Sequence, residues 1–242
     1  MSRNSLSVYR QKISHQLTQL YSNMMPTPCL LCGASNAQSC LCHDCIKNLP
    51  RLGPSCPRCA TPLTFSTICG QCLRNPPEQD ATFSIFRYQS PIDRLITDLK
   101  YRDKLFLSRF FAQQMAEQAN NRPLPQLLIP IPLHTKRLRH RGYNQAMELA
   151  RYLSKQLSIP VRNDILIRTR DTLPQASLPF SERKKNIKRA FGVNNFNLPK
   201  HIALIDDVLT TGHTADVAAK ALRQANVNTI ELWTIARTIR HY

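Results

Sequence analysis

"IALIDDVLTTGHT", residues 202–214, decides how the rest of the chain is read. Four apolar residues run into two adjacent carboxylates, Asp206 and Asp207, and then into a turn containing Thr210, Thr211, Gly212, His213 and Thr214. Two like charges at the end of a buried run are costly unless a cation or hydroxyl groups hold them. An apolar strand that ends in acids and passes through a Thr/Gly turn into a helix is the design of a phosphate site. Ligands of open α/β sheets bind at the carboxyl ends of the strands, and the N–H groups of a turn and a first helical turn hold an anion. Gly212 permits close approach, and Thr210, Thr211 and Thr214 add hydroxyl donors. A phosphate held there leaves Asp206 and Asp207 about a sugar's length away, suited to vicinal hydroxyls or a hydrated Mg²⁺.

Outward from this motif, strand and helix signals alternate. "ATFSIFRY", "QLLIPIP", "DILIR", "HIALID" and "TIELWTIAR" read as strands. "IDRLITDLKYRDKLFLSRFFAQQMAEQA", "NQAMELARYLSKQLS" and "TADVAAKALRQAN" read as helices. Such alternation predicts an α/β fold with a mostly parallel sheet and helices on both faces. The polar stretch from Thr169 to about Lys188 is unusually long for a loop in a compact α/β domain, as functional lids and disordered segments are.

A second pattern lies upstream. The cysteines at 29, 32, 42 and 45 recur 27 residues later at 56, 59, 69 and 72, so C-x2-C-x9-C-x2-C occurs twice. A CxxC turn presents two thiolates to one ion, and two such turns complete a tetrahedral Cys₄ site. Zinc is the expected metal at Cys29, Cys32, Cys42, Cys45, Cys56, Cys59, Cys69 and Cys72, with rubredoxin-like iron or a redox dithiol as the alternatives. Each set supplies four cysteines and needs no further His or carboxylate to complete a tetrahedral site, so the sites read as closed and structural. Sequential pairing follows from the repeat, and interleaved pairing is the other arrangement the spacing allows. Cys40 falls outside the repeat. The expected organisation is an N-terminal helical arm over 1–28, a small Cys-rich zinc-ribbon domain over 29–77, and the α/β domain over 78–242. The arm reads as packing on its neighbour, with a membrane-surface helix as the other reading.

Thirty-three Lys and Arg against 15 Asp and Glu give 242 residues a net charge of +18. Residues 133–190 alone hold 14 basic and 4 acidic side chains. Such a balance points to a polyanionic partner. Two runs carry it. One has Lys136, Arg137, Arg139 and Arg141, followed by Tyr143; the other has Arg183, Lys184, Lys185 and Lys188, with Arg189 and Phe191. Cations attract phosphates, and an adjacent aromatic ring can stack a base. A diphosphate needs two or three cations, about a third of those present, so the surplus favours a longer polyanion. Without a recognition helix or dimer motif, single-stranded nucleic acid fits better than duplex. Lys100, in "DLKY", reads equally as a packing residue or a contact to the same anion. No apolar run approaches the roughly 18 residues of a membrane span, and no secretory signal is evident. A cytoplasmic protein is expected, with peripheral association at the inner membrane as a further possibility.

"ALIDDVLTTGHT" resembles the 5-phosphoribosyl-1-pyrophosphate (PRPP) signature of type I phosphoribosyltransferases, with His213 standing where a small residue is usual. Behind a double cysteine repeat, "LKYRDK", "LIPIPLHTKRLRHRGYNQA" and "RTRDTLPQASLPFSERKKNIKRAF" resemble the ComF-type proteins of bacterial natural competence, a match spanning 29–237. The resemblance implies a phosphoribosyltransferase fold joined to an N-terminal double zinc ribbon. It implies that Asp206 and Asp207 act on the ribose and that the 210–214 turn takes the 5-phosphate of PRPP with Mg. By position, Pro130, Ile131 and Pro132 look like the pyrophosphate loop, and the stretch from Thr169 to Lys188 is similar to the loop that closes over PRPP. Two functions follow. One is a DNA-uptake protein that handles single-stranded DNA alongside DNA-uptake or recombination proteins and retains the PRPP pocket. The other is an active phosphoribosyltransferase acting on an amine or base, for which the sequence offers no recognisable acceptor pocket.

Overall fold

In the computed structural model, residues 28–35, 37, 40–120, 122–133, 135–168, 190–194 and 197–239 are described. The expected arm over 1–28, apart from residue 28, and the basic run at 183–188 lie outside them, as does the whole loop from 169 to 188. The chain divides into two compact units between Leu49 and Pro50, so the break falls between the two halves of the cysteine repeat.

The first unit holds a short helix, α1 (His43–Lys47), which begins directly after Cys42. In the second unit α2 (Gly70–Arg74) occupies the equivalent place after Cys69. Both helices are single turns set by their knuckles, and neither has the length to stand alone.

The rest of the second unit is built on four parallel strands. These are β1 (Ala81–Arg87), β2 (Leu127–Pro130), β5 (His201–Leu209) and β6 (Thr229–Arg237), in the order β1-β6-β5-β2. Beyond β2 the chain adds a parallel bridge between Leu128 and Val161. Two three-residue strands, β3 (Leu166–Arg168) and β4 (Phe191–Val193), form a separate antiparallel pair that flanks the long loop. The parallel α/β sheet expected from the alternation is present.

Helices cover the sheet. α3 (Ile92–Tyr101) and α4 (Phe106–Ala119) follow β1. α5 (Thr135–Arg141) and α6 (Gln145–Leu157) follow β2, and α7 (His213–Gln224) joins β5 to β6. The mostly helical stretch expected over 92–119 is two helices, because the chain turns at Asp103, whose φ is +53°. The helix expected over 144–158 is capped at both ends. The Asn144 side chain accepts from the Ala146 N–H at 3.0 Å, and Ser158 adopts the left-handed conformation that ends it.

The core explains why the site is rigid. Ile202 and Leu204 of β5 pack with Ile230 and Leu232 of β6 and with Ala215, Ala218, Ala219 and Leu222 of α7. Alanines at this helix face let it lie close to the sheet, and Leu222 fills the gap at its far end. Strand pleating sends Ala203 and Ile205 to the opposite face, and both are fully buried. Between β1 and α4, Phe86 meets Phe111 edge-on with centroids 6.3 Å apart.

Candidate functional site

Sequence places the strand end at Asp206, but β5 continues to Leu209. Asp206 pairs with Thr234, Val208 with Ala236 and Leu209 with Arg237. Acidic residues are poor strand formers, and the register with β6 overrides that preference. Because β5 remains a strand through both acids, their side chains point to opposite faces. Asp206 lines an open pocket of about 270 Å³ with Thr210, Thr211, Gly212, Thr214 and Thr234. Asp207 instead forms an ion pair with Lys100 of α3, Nζ to Oδ1 at 2.9 Å.

The turn has the geometry an anion needs. Gly212 is the N-cap of α7 at φ +81°, a conformation costly for any residue with a Cβ. The first-turn N–H groups of α7 have no intrahelical acceptors and are directed out of the helix end. The Thr211 hydroxyl is buried in the pocket wall without a hydrogen-bond partner among the described residues. A buried orphan hydroxyl is costly, and a ligand oxygen would satisfy it.

Electrostatics follow from the placement. Burial raises the Asp206 carboxyl, the Asp207 carboxylate raises it further, and the pKa reaches about 7 despite opposing pulls from Lys100 and Arg168. Burial disfavours the Lys100 ammonium, but Asp207 and then Asp206 outweigh that and leave it raised. Lys100 is therefore a partner of the acid pair, which the sequence left open. Arg168, at the start of the long loop, is a second cation near Asp206. No periodicity could have pointed to Arg168, because only the fold brings its charge within electrostatic range of Asp206.

The Pro130–Ile131–Pro132 stretch leaves β2 beside the acids, where Pro130 pairs with Ile205 and the Ile131 N–H donates to the Ile205 carbonyl at 2.9 Å. Asn144 ties the following segment back, its Nδ2 donating to the Ile131 carbonyl at 3.1 Å. The first basic run, including the backbones of Lys136 and Arg137, forms α5, with Arg139 exposed. Arg141 instead folds onto a surface ring: it lies over exposed Tyr101 at 4.7 Å and donates to the Tyr101 hydroxyl at 2.8 Å. The Tyr143 hydroxyl donates to the Leu99 carbonyl, one residue from Lys100. Tyr143 thus braces α3 through its hydroxyl while its ring stays half-buried.

The two cysteine groups assemble sequentially. Within Cys29, Cys32, Cys42 and Cys45, and within Cys56, Cys59, Cys69 and Cys72, the sulfurs lie within 4.8 Å of one another. Cys32 and Cys42 sulfurs are 3.7 Å apart, and those of Cys59 and Cys69 are 3.6 Å apart. Thiolates about 2.3 Å from a tetrahedral zinc stand about 3.8 Å from each other, so both groups fit zinc. Burial opposes ionisation of Cys29, but N–H groups at Cys32, Cys42 and Leu31 bring its pKa to about 6. Cys56 falls to about 7, because N–H groups at Cys69, Cys59 and Arg58 outweigh its burial. Burial and the neighbouring sulfurs push Cys45 up to about 12 and raise Cys72 as well. Four crowded thiols cannot all ionise unaided; a dication removes that conflict. Cys40 is buried without belonging to either group.

The second cysteine group is sewn to the sheet. The Thr82 N–H donates to Pro57 O at 2.8 Å, and the Thr82 hydroxyl donates to Arg58 O at 2.6 Å. Arg51 reaches Gln114 of α4 at 2.6 Å and lies over the Phe86 ring.

Fold and site together define a double Cys₄ zinc-ribbon protein with a parallel α/β unit and a Thr/Gly turn at a strand's carboxyl end. Residues 20–73 match the double zinc ribbon domain family. The chain is 35% identical to Competence protein F of Haemophilus influenzae over 211 residues, covering 83% of this chain and 92% of that protein. It is 30% identical to DNA utilization protein YhgH of Salmonella typhi, covering 89% and 99%. It is 27% identical to Competence protein ComFC of Streptococcus pneumoniae, covering 86% and 99%. The chain belongs to this ComF-type family. Among solved structures, a purine phosphoribosyltransferase from Pyrococcus horikoshii aligns at 15% identity over 66% of this chain and 90% of its own, with a TM-score of 0.31. So low a score leaves this chain's architecture to be defined by its own sheet order and site.

Proposed function

We propose that the protein serves the uptake or use of DNA, as the names of its relatives indicate for them, by handling single-stranded DNA with a ribose-phosphate site in its α/β unit. PRPP with Mg²⁺ is the ligand that fits this site. The observation that carries the reading is the pocket joining Asp206 to the 210–214 turn, with the Thr211 hydroxyl buried and unmatched. The 5-phosphate would take the turn's N–H groups, and Asp206 would face the ribose hydroxyls or the metal. Lys100 pairs with Asp207 at the same strand end. The Pro130–Ile131–Pro132 segment, on the neighbouring strand's exit, would flank the pyrophosphate. The zinc ions have a structural role, since every coordination position is filled by a cysteine.

DNA binding is supported by the regional positive charge and by the exposed Arg139 on α5. Transfer of phosphoribosyl to an acceptor is the competing reading; it requires a pyrophosphate leaving group stabilised by metal and cations. Calorimetry with PRPP and Mg²⁺ tests the site. Replacing Asp206 and Asp207 with Ala should abolish binding while zinc content and the thermal transition remain. Unchanged PRPP affinity in that double variant would place the ligand elsewhere. Titrating PRPP and labelled single-stranded DNA separately and then together shows whether they share a surface, and release of pyrophosphate with a candidate amine would favour catalysis.

A further inference from the structure

Arg237, the last residue of β6, belongs to neither the acid motif nor a cysteine group, yet it touches both. Its Nε donates to the Cys59 carbonyl at 2.9 Å, and its Nη1 donates to the carbonyls of Leu209, at 3.0 Å, and Thr210. Cys59 lies in the first knuckle of the second cysteine group. Leu209 ends β5, and Thr210 opens the turn that lines the pocket. The strand ladder fixes where the guanidinium starts. Arg237 is the register partner of Leu209, its carbonyl accepts from the Tyr88 N–H at 2.8 Å, and the Thr238 N–H donates to Leu209 O at 3.0 Å.

We propose that Arg237 couples the two sites, so that metal in the Cys56, Cys59, Cys69 and Cys72 group and a phosphate ester in the 210–214 turn stabilise each other. The inference rests on reading that turn as a phosphate site. Its mechanism is the planarity of the peptide bond. The Thr210 carbonyl shares a plane with the Thr211 N–H, and the Leu209 carbonyl with the Thr210 N–H. Holding those oxygens therefore sets the direction of the turn's donors. The same holds at the other end. The Cys59 carbonyl shares a plane with the Ala60 N–H, which donates to Cys56 O at 2.8 Å and closes the knuckle, with Ala60 at φ +54°. A guanidinium offers a rigid planar fork, and it meets both sets of carbonyls only when both segments are in place. Order imposed at one end lowers the cost of ordering the other, and linkage makes the effect reciprocal.

The test uses the full chain loaded with zinc, ribose 5-phosphate as the probe, and the variants Arg237→Lys and Arg237→Gln. Lysine keeps the charge but is a single point donor without the fork. In the unaltered protein, saturating ribose 5-phosphate should slow transfer of one of the two zinc ions to a chromophoric chelator by about fivefold or more. It should also slow amide exchange in the peptide covering 56–63. Both variants should keep their zinc, bind ribose 5-phosphate about fivefold more weakly or worse, and lose the ligand-dependent slowing at 56–63. Ligand binding without slowing in the unaltered protein overturns the coupling by itself, even if a variant fails to fold. Slowing that persists in a folded variant overturns the role of Arg237. Failure of the unaltered protein to bind ribose 5-phosphate is a different result, which removes the phosphate-site reading and the coupling together.

Discussion

Asp206 and Asp207 are adjacent in sequence and answer to different neighbours, because a strand turns successive side chains to opposite faces. Asp207 has its cation in Lys100. Asp206 faces the pocket, where burial and the neighbouring carboxylate raise its pKa from 3.8 to about 7. The sign follows directly. Between about pH 4 and pH 7 the folded chain keeps a proton that the unfolded chain has released, so stability falls as pH rises through that window. Asp206→Asn removes this dependence. The variant should match its parent near pH 4 and melt higher at pH 8, by at least the roughly 2–4 °C that each kilocalorie is worth in a domain of this size. Scanning calorimetry at the two pH values measures it, and an Asn variant less stable than its parent at pH 8 would contradict the assignment. On the proposed reading, the parent keeps a destabilising carboxylate for the sake of a ligand, a stability cost that binding sites commonly carry.

Elements with a strong period or a strong punctuation mark are legible in the sequence; those made by tertiary pairing are not. The apolar run of β5, the alanine face of α7 and the capping Asn144 each carry a local signal, and each element forms where that signal lies. The break between α3 and α4 carries only a weak one, since "YRDK" has neither Gly nor Pro and just the charged run Arg102–Lys104 interrupts the apolar period. β4 is three residues long, too short for a pattern, and exists by pairing with β3. At the site, the acids and the turn are legible from chemistry and spacing. Arg168 and Arg237 are not, because they reach the site from other strands. A further unannounced feature lies at the opposite end of the sheet. Glu231 of β6 is buried and accepts from Arg122 at 2.5 Å and from Trp233 Nε1 at 2.7 Å, with His201 Nε2 2.9 Å from its other oxygen. It joins the start of β5 and β6 to the segment before β2. Removing one partner of a buried ion pair strands the others, so Glu231→Ala should cost about 3 kcal/mol or more. Urea unfolding checks this, and a loss within about 0.5 kcal/mol, typical of a surface position, would show that the network is solvated.

For the whole molecule, metal and charge set the behaviour. The unit ending at Leu49 carries one cysteine group and little apolar core among its described residues, so its folding depends on metal. Freshly purified, reduced protein should contain about two zinc ions per chain, and chelation should unfold this unit before the sheet; metal analysis near zero would refute it. The net charge of +18 is the other whole-chain property, and no helix among the described residues is long and apolar enough to cross a membrane. If the excess charge binds single-stranded DNA, neutralised phosphates release counterions, and log affinity falls with log salt by about 0.7 per phosphate contacted. Changing Arg183, Lys184 and Lys185 together to Ala should reduce that slope by roughly two and weaken all sequences alike. Tyr143 separates stacking from bracing. Tyr143→Phe keeps the ring and loses the bond to Leu99, whereas Tyr143→Ala loses both. A ring that stacks a base makes the Ala variant about 1–3 kcal/mol weaker than the Phe variant, with the slope unchanged. Equal affinity of the two variants would confine Tyr143 to holding α3. Fluorescence anisotropy across a salt series reads every arm. Equal binding of duplex and single strands, with a triple variant indistinguishable from the parent, would reduce the basic segments to a solvated face.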